Sequence, residues 1–312
     1  MGIDELVAQA VTLHASDIHL SCGLSPRFRV DGSLVDAGGT PLTEADCREL
    51  ARELAGHRFD EIERVGELDL ARTIDGRRCR INCYKASDRL SSAIRLLSDT
   101  IPVLSDLGLP PAAFQLPRLP RGIVLVTGET GSGKSTTLAA LLDHINHNRP
   151  DHIITLEDPI EYIYTPDRCV IDQREIGRDT ASYAAGLRAA LREDPDVILI
   201  GEMRDQATIE TALTAAETGH LVFATLHTNS AATAVDRIVD VFPAGKQQQI
   251  RMQLSTTLMA VLAQQLLPRA DGHGRVLACE LMVVNSAIRN LIREGKTPQI
   301  QNAVATDRKS VV

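Results

Sequence analysis

One run constrains this chain more than any other. Gly128-Glu-Thr-Gly-Ser-Gly-Lys-Ser135 directly follows the apolar stretch Ile123 to Val126 and precedes a helical pattern that starts near Thr136. Gly128-x4-Gly133-Lys134-Ser135 has the Walker A spacing in the context that the motif requires, strand then loop then helix. Four fixed positions of this kind arise by chance about once in a hundred chains of this length. Gly128, Gly131 and Gly133 let the backbone curl until successive N–H groups face a phosphate, and the helix N-terminus adds partial positive charge. Lys134 is expected to reach the β- and γ-phosphates and Ser135 to ligate Mg²⁺. Thr130, Ser132 and Thr136 complete the expected ATP-binding set.

Such a loop belongs to an α/β sheet, and the residues around it agree. From Gly122 onward apolar runs alternate with helical patterns, the signature of parallel strands covered on both faces. Strands are expected at Ile123–Val126, Ile153–Leu156, Val197–Ile200 and Leu221–Leu226. Helices are expected at Thr136–Asn146, Ser182–Glu193, Asp205–Thr218, Ala231–Asp240, Lys246–Leu266 and Ser286–Glu294. Residues 1–98 read differently, as a small α+β domain. An amphipathic helix (Ile3, Leu6, Val7, Ala10, Val11) leads into short strands at 17–20, 27–30, 67–70, 78–82 and 91–96, punctuated by Asp31-Gly32 and Asp75-Gly76. Residues 99–120 hold five of the fourteen prolines and cannot run as continuous helix or central strand. They are expected to form a linker and the start of the second domain, which occupies 121–312.

Composition removes several classes of function. No stretch of about 18 apolar residues is present, and the N-terminus lacks the basic flank and apolar core of a signal peptide, so a cytoplasmic location is expected. The six cysteines include no Cys-x2-Cys pair, which argues against a disulfide framework or a zinc site. Net charge is −8, no block of Lys and Arg occurs, Trp is absent and aromatics are 3%. Those features disfavour a nucleic-acid partner and leave proteins as the expected partners.

Three further segments carry chemistry. Leu156-Glu157-Asp158-Pro159-Ile160-Glu161 delivers carboxylates after the second apolar strand, at the sheet end where open α/β folds bind ligands. Pro159 stops the strand and can turn Glu161 back toward phosphates, for a catalytic role or a Mg²⁺ role through water. Asp194-Pro-Asp-Val-Ile-Leu-Ile-Gly201-Glu202 is a Walker B-like strand. Gly201 stands where many P-loop enzymes have a Mg²⁺-binding Asp, so the cation must be held through water or by another carboxylate. Glu202 is the candidate for polarising the attacking water. Gly219-His220 through His227-Thr-Asn229 flanks a buried strand with two histidines; seven residues apart, they project to opposite faces and do not share a metal. His227 is placed to sense the γ-phosphate, whereas His220 equally suits a structural hydrogen bond.

Together these motifs resemble the secretion and type IV pilus ATPase superfamily over nearly the whole chain. Glu157 to Glu161 looks like its Asp box and His220 to His227 like its His box. Ala15-Ser-Asp-Ile-His-Leu20 and Arg29-Val-Asp-Gly32 look like its PAS-like N-terminal domain, and residues from about 110 like its RecA-like P-loop domain. The resemblance implies a homohexamer that uses ATP and Mg²⁺, with N-terminal arginines reaching the ATP site; Arg80 and Arg95 match that pattern. An inserted arginine can be worth ~10³–10⁵ in rate, although both could instead pair with surface acids. Arg204 is a weaker candidate.

The four-cysteine insertion of type II secretion ATPases and the long N-terminal extension of pilus extension ATPases are not seen. Ala287-Ile-Arg-Asn-Leu-Ile-Arg-Glu294 resembles the signature of the retraction branch, although Ile288, Leu291 and Ile292 also make an ordinary apolar helix stripe. The branch implies a motor for type IV pilus retraction and twitching motility, peripheral at the inner-membrane base of the pilus machine. Its expected partners are an inner-membrane platform protein and a paralogous retraction ATPase. An accessory retraction ATPase, a related secretion or pilus-assembly ATPase, and an ATP-binding switch without turnover are the alternatives.

Overall fold

The computed structural model describes residues 2–97, 100–270, 274–307 and 310. It divides into two compact units, Met1–Thr100 with Pro159–Ile163, and Ile101–Asp158 with Tyr164–Val312. The boundary expected at residues 98 and 99 lies outside the described residues.

The first unit contains α1 (Ile3–Thr12), β1 (Asp17–Ser21), β2 (Arg27–Val30), β3 (Ser33–Asp36), α2 (Glu44–Ala55), α3 (Phe59–Val65), β4 (Glu67–Ile74), β5 (Arg77–Ala86) and β6 (Arg89–Leu96). Among the described residues its strands form one antiparallel sheet in the order β3-β2-β1-β6-β5-β4. One face buries Ile18, Leu20, Phe28, Ile81 and Ile94 against Leu6, Ala51, Leu54 and Ile62 of the helices. The period-2 alternation of the strands leaves the opposite face polar.

Three elements here were not anticipated, α2, α3 and β3. Helix α2 has a clear local cause: Thr43 accepts from the Asp46 amide while the Asp46 carboxylate returns to the Thr43 amide, and Cys47, Leu50, Ala51 and Leu54 fall on one buried stripe. Strand β3 has no apolar alternation to betray it, because all four residues are exposed at the sheet edge. It exists because Asp31 and Gly32, both with positive φ, make a two-residue turn whose twist suits a hairpin.

The second unit carries β7 (Gly122–Thr127), α4 (Lys134–Asn148), β8 (His152–Glu157), β9 (Val170–Glu175), α5 (Tyr183–Ala190), β10 (Val197–Ile200), α6 (Gln206–Glu217), β11 (Leu221–Leu226), α7 (Ala231–Asp240), α8 (Ala244–Thr257), β12 (Leu258–Pro268), β13 (Arg275–Val283), α9 (Ser286–Glu294) and α10 (Ile300–Thr306). Its sheet order among the described residues is β13-β12-β7-β11-β10-β8-β9. All neighbours are parallel except the antiparallel β12–β13 hairpin. Strands β7, β10 and β11 are buried throughout, which is why they read as unbroken apolar runs. Helices α5 to α10 cover one face, with Ile123, Leu125, Ile198 and Val222 in that core.

The expected helix Lys246–Leu266 is corrected by the structure. Helix α8 ends at Thr257, and Leu258 begins a strand that pairs in parallel with β7 through a bulge between Leu258 and Ala260. An apolar run of this length is compatible with either period, and burial beside β7 decides it.

Candidate active site

The phosphate loop connects β7 to α4 and is held by its neighbours in the same unit. Gly128 has φ +145, and a Cβ there would overlap the Gln264 carbonyl oxygen of β12 and the Ser132 hydroxyl. Only glycine lets the loop pass this close to β12. Gln264 is 5% exposed and its Nε2 donates to the Ser132 carbonyl at 2.9 Å, a buried brace between β12 and the loop. Gly133, in the left-handed region, is the N-cap of α4 and accepts from the Thr137 amide at 3.0 Å. Lys134 folds its Nζ over the loop and donates to the carbonyls of Gly128 and Glu129, each at 2.8 Å.

This loop suits a nucleotide's phosphates. It joins a helix N-terminus, an ammonium and a buried Ser132 Oγ that has no partner among the described residues. Among those residues no group of three His, Cys, Asp or Glu side chains could cage a metal. Mg²⁺ at a nucleotide takes few protein oxygens and keeps water and phosphate ligands. The Ser135 hydroxyl is the oxygen donor nearest in sequence to the loop's lysine.

The ends of β8, β10 and β11 bring the acids and the histidine to the same edge of the sheet as the loop. Glu202, two residues past β10, has a side chain only 17% exposed, and its Oε1 pairs with Arg204 Nε at 2.6 Å and His227 Nε2 at 3.1 Å. Both contacts fall on one oxygen, which leaves Oε2 available to a water. The bond to Glu202 and its charge push Arg204 further up. Asn229 Nδ2 reaches Glu129 Oε1 at 3.4 Å, linking the strand-end loop to the phosphate loop. Glu157 is engaged structurally, its Oε1 accepting from Thr155 Oγ1 at 2.7 Å and Gln173 Nε2 at 3.2 Å.

Gly201 has close neighbours. A Cβ there would stand 3.0 Å from the Tyr183 hydroxyl and 3.1 Å from the Leu156 carbonyl, so any side chain would require both to give by a few tenths of an ångström. His220, just before β11, makes structural contacts: its Nδ1 meets the Ala215 carbonyl at 2.8 Å and Thr218 Oγ1 at 3.2 Å, tying the end of α6 to the strand.

The first unit holds the remaining candidates. Arg80 and Arg95 are direct cross-strand partners on β5 and β6 and share the sheet's polar face. Arg95 Nε pairs with Asp17 Oδ1 at 2.9 Å while staying 64% exposed. Burial would raise the Asp17 carboxyl, but hydrogen bonds from Ser16 and Arg95 hold it below its ordinary value. Glu161 lies in Pro159–Ile163, which groups with this unit, whereas Glu157 and Asp158 group with the phosphate loop. Arg78 Nε donates to the Ile160 carbonyl at 3.0 Å, adjacent to Glu161. Sequence reasoning missed both Arg78 and Gln264; the alternation of β5, which puts Arg78 and Arg80 on one face, could have pointed to the former.

The Type II/IV secretion system protein family matches residues 2–312. The chain is 45% identical over 308 residues to the type IV pilus retraction ATPase PilT of Pseudomonas aeruginosa, covering 98% of this chain and 89% of that protein. It is 46% identical over 316 residues to the uncharacterized protein YggR of Escherichia coli, covering 99% and 94%. A crystal structure of the pilus retraction motor PilT with bound ADP superposes with a TM-score of 0.93 at 46% identity, covering 98% of this chain and 90% of that one. The fold is thus a PAS-like α+β unit followed by a RecA-like P-loop unit. With a match across the described fold and the phosphate loop, the chain belongs to the Type II/IV secretion system protein family of ATPases.

Proposed function

We propose that this chain hydrolyses ATP as the ring-forming motor of type IV pilus retraction, working as a homohexamer against an inner-membrane platform protein. The observation that carries the reading is the gathering of the phosphate loop, Glu202 and His227 at one edge of one sheet. The amides from Gly128 to Ser135 and the Lys134 ammonium take the phosphates, and Thr130, Ser132 and Thr136 flank them. Bound Mg²⁺ would supply charge neutralisation at the phosphate oxygens, with Ser135 as its direct ligand and Glu161 acting through water. Glu202 accepts the proton of the attacking water, and His227 orients Glu202 through Oε1. Arg80 and Arg95 stabilise charge on the transferred phosphoryl group, a contribution of roughly 4–7 kcal/mol for an inserted arginine. These arginines and Glu161 belong to the first unit.

Phosphate release by the purified full chain tests the assignment. Glu202→Gln is expected to bind ADP normally and lose at least about 10²-fold in turnover, and Lys134→Ala to lose nucleotide binding. Wild-type turnover in Glu202→Gln would remove Glu202 from the chemistry.

A further inference from the structure

The space beside Gly201 is filled from another element. Helix α5 begins with Tyr183, after Ser182 caps it by accepting from the Ala185 amide at 3.2 Å. One turn on, Gly186 lies so near β8 that a Cβ would stand 2.8 Å from Leu156 Cδ2, which seats the helix firmly against that strand. The seating sends the Tyr183 hydroxyl to within 3.0 Å of where a side chain at residue 201 would begin. Among the described residues this hydroxyl makes no hydrogen bond, yet it lies in the field of Asp158, Glu202 and Glu157. Burial first, then those carboxylates, push the phenol far up, so it is a neutral donor throughout the working range.

An unpartnered, half-buried donor amid carboxylates, all of them acceptors, is a place for an ordered water. Glu202 is the carboxylate that needs one. We propose that Tyr183 is a further positioning residue for hydrolysis, its hydroxyl standing where residue 201 has no side chain and donating to a water shared with Glu202. The inference rests on Glu202 acting as the base. A packing role alone would need only the ring, whereas this role needs the oxygen.

Tyr183→Phe separates the two, because it keeps the ring and removes one atom. The full-length variant is expected to lose three- to tenfold in kcat for phosphate release, with KM for ATP and Kd for ADP within twofold of wild type. In the Glu202→Gln background, read by single turnover, the same change is expected to have no further effect, because Tyr183 acts through Glu202. Wild-type kcat in Tyr183→Phe, beside an impaired Glu202→Gln, would overturn the inference and leave the base assignment standing. An equal loss in both backgrounds would overturn it too, since Tyr183 would then act independently. Normal turnover in Glu202→Gln would sink the underlying reading instead. Gly201→Ala gives a second measurement: its methyl group meets the hydroxyl, so the kcat loss it causes is expected to shrink when residue 183 is Phe.

Discussion

Replacing Gln264 by leucine separates the hold on the phosphate loop from the stability of the fold. The side chain is nearly fully buried, its Nε2 bonded to the Ser132 carbonyl and its Oε1 without a partner among the described residues. Leucine fills a similar volume. It leaves the Ser132 carbonyl unpaired, a cost of about 1–3 kcal/mol, but it also removes a buried acceptor that was unpaired already and carried a similar penalty. The two changes nearly offset, so net stability is expected to move by less than ~1 kcal/mol and the melting temperature by less than about 4 °C. Phosphate binding has no such compensation. The loop loses the side-chain brace that ties Ser132 to β12, and its amides must be ordered by the ligand itself. A loss of about 1–2 kcal/mol corresponds to roughly five- to thirtyfold weaker ADP binding. Calorimetric titration with ADP beside thermal unfolding reads both quantities. An unchanged Kd in a folded Gln264→Leu variant would refute the idea that β12 positions the loop.

Two further outcomes follow from the contacts. Arg289 of α9 donates to the Ser255 and Thr256 carbonyls at 2.7 and 2.9 Å, capping the C-terminal end of α8. Arg289→Ala is expected to cost about 1–2 kcal/mol and lower the melting temperature by roughly 3–6 °C, with only partial recovery in Arg289→Lys, which lacks the second nitrogen that reaches Met259 Sδ; an unchanged melting temperature would contradict the cap. His147, near the end of α4, has its pKa raised by the hydrogen bond to the Asp143 carbonyl at 2.8 Å and then by the Asp143 charge. A raised folded value means that its contribution is complete below the ordinary value near 6.5 and fades as pH rises through the folded one. Since the side chain is 55% exposed, screening keeps the contribution below about 1 kcal/mol. The melting temperature of His147→Gln should therefore fall below wild type at pH 5.5 and meet it at pH 9; a gap that widens with pH would reverse the sign.

What could be read from the chain without a structure had local causes. The phosphate loop depends on glycine geometry within eight residues, and β7, β10 and β11 are unbroken apolar runs because both of their faces are covered. Helix α2 is equally local, set by the Thr43–Asp46 capping box and its buried stripe. Other features depend on tertiary partners. Leu258–Pro268 becomes strand only beside β7, and reading it as helix hid Gln264 as well, since a polar residue in an apolar run acquires its purpose from the loop carbonyl it meets. Gly201 reads as a missing ligand in the sequence, and the nearness of Leu156 and Tyr183 appears only in the fold. Arg95 was legible as an arginine on a strand, but its partner Asp17 lies 78 residues away in sequence.

One measurement in cells tests the retraction motor most directly: surface piliation and twitching when the chromosomal gene carries Glu202→Gln. A retraction motor that binds nucleotide and cannot hydrolyse it predicts cells with excess surface pili and no twitching. Bald cells would assign the motor to extension, and normal twitching would separate Glu202 from the work altogether.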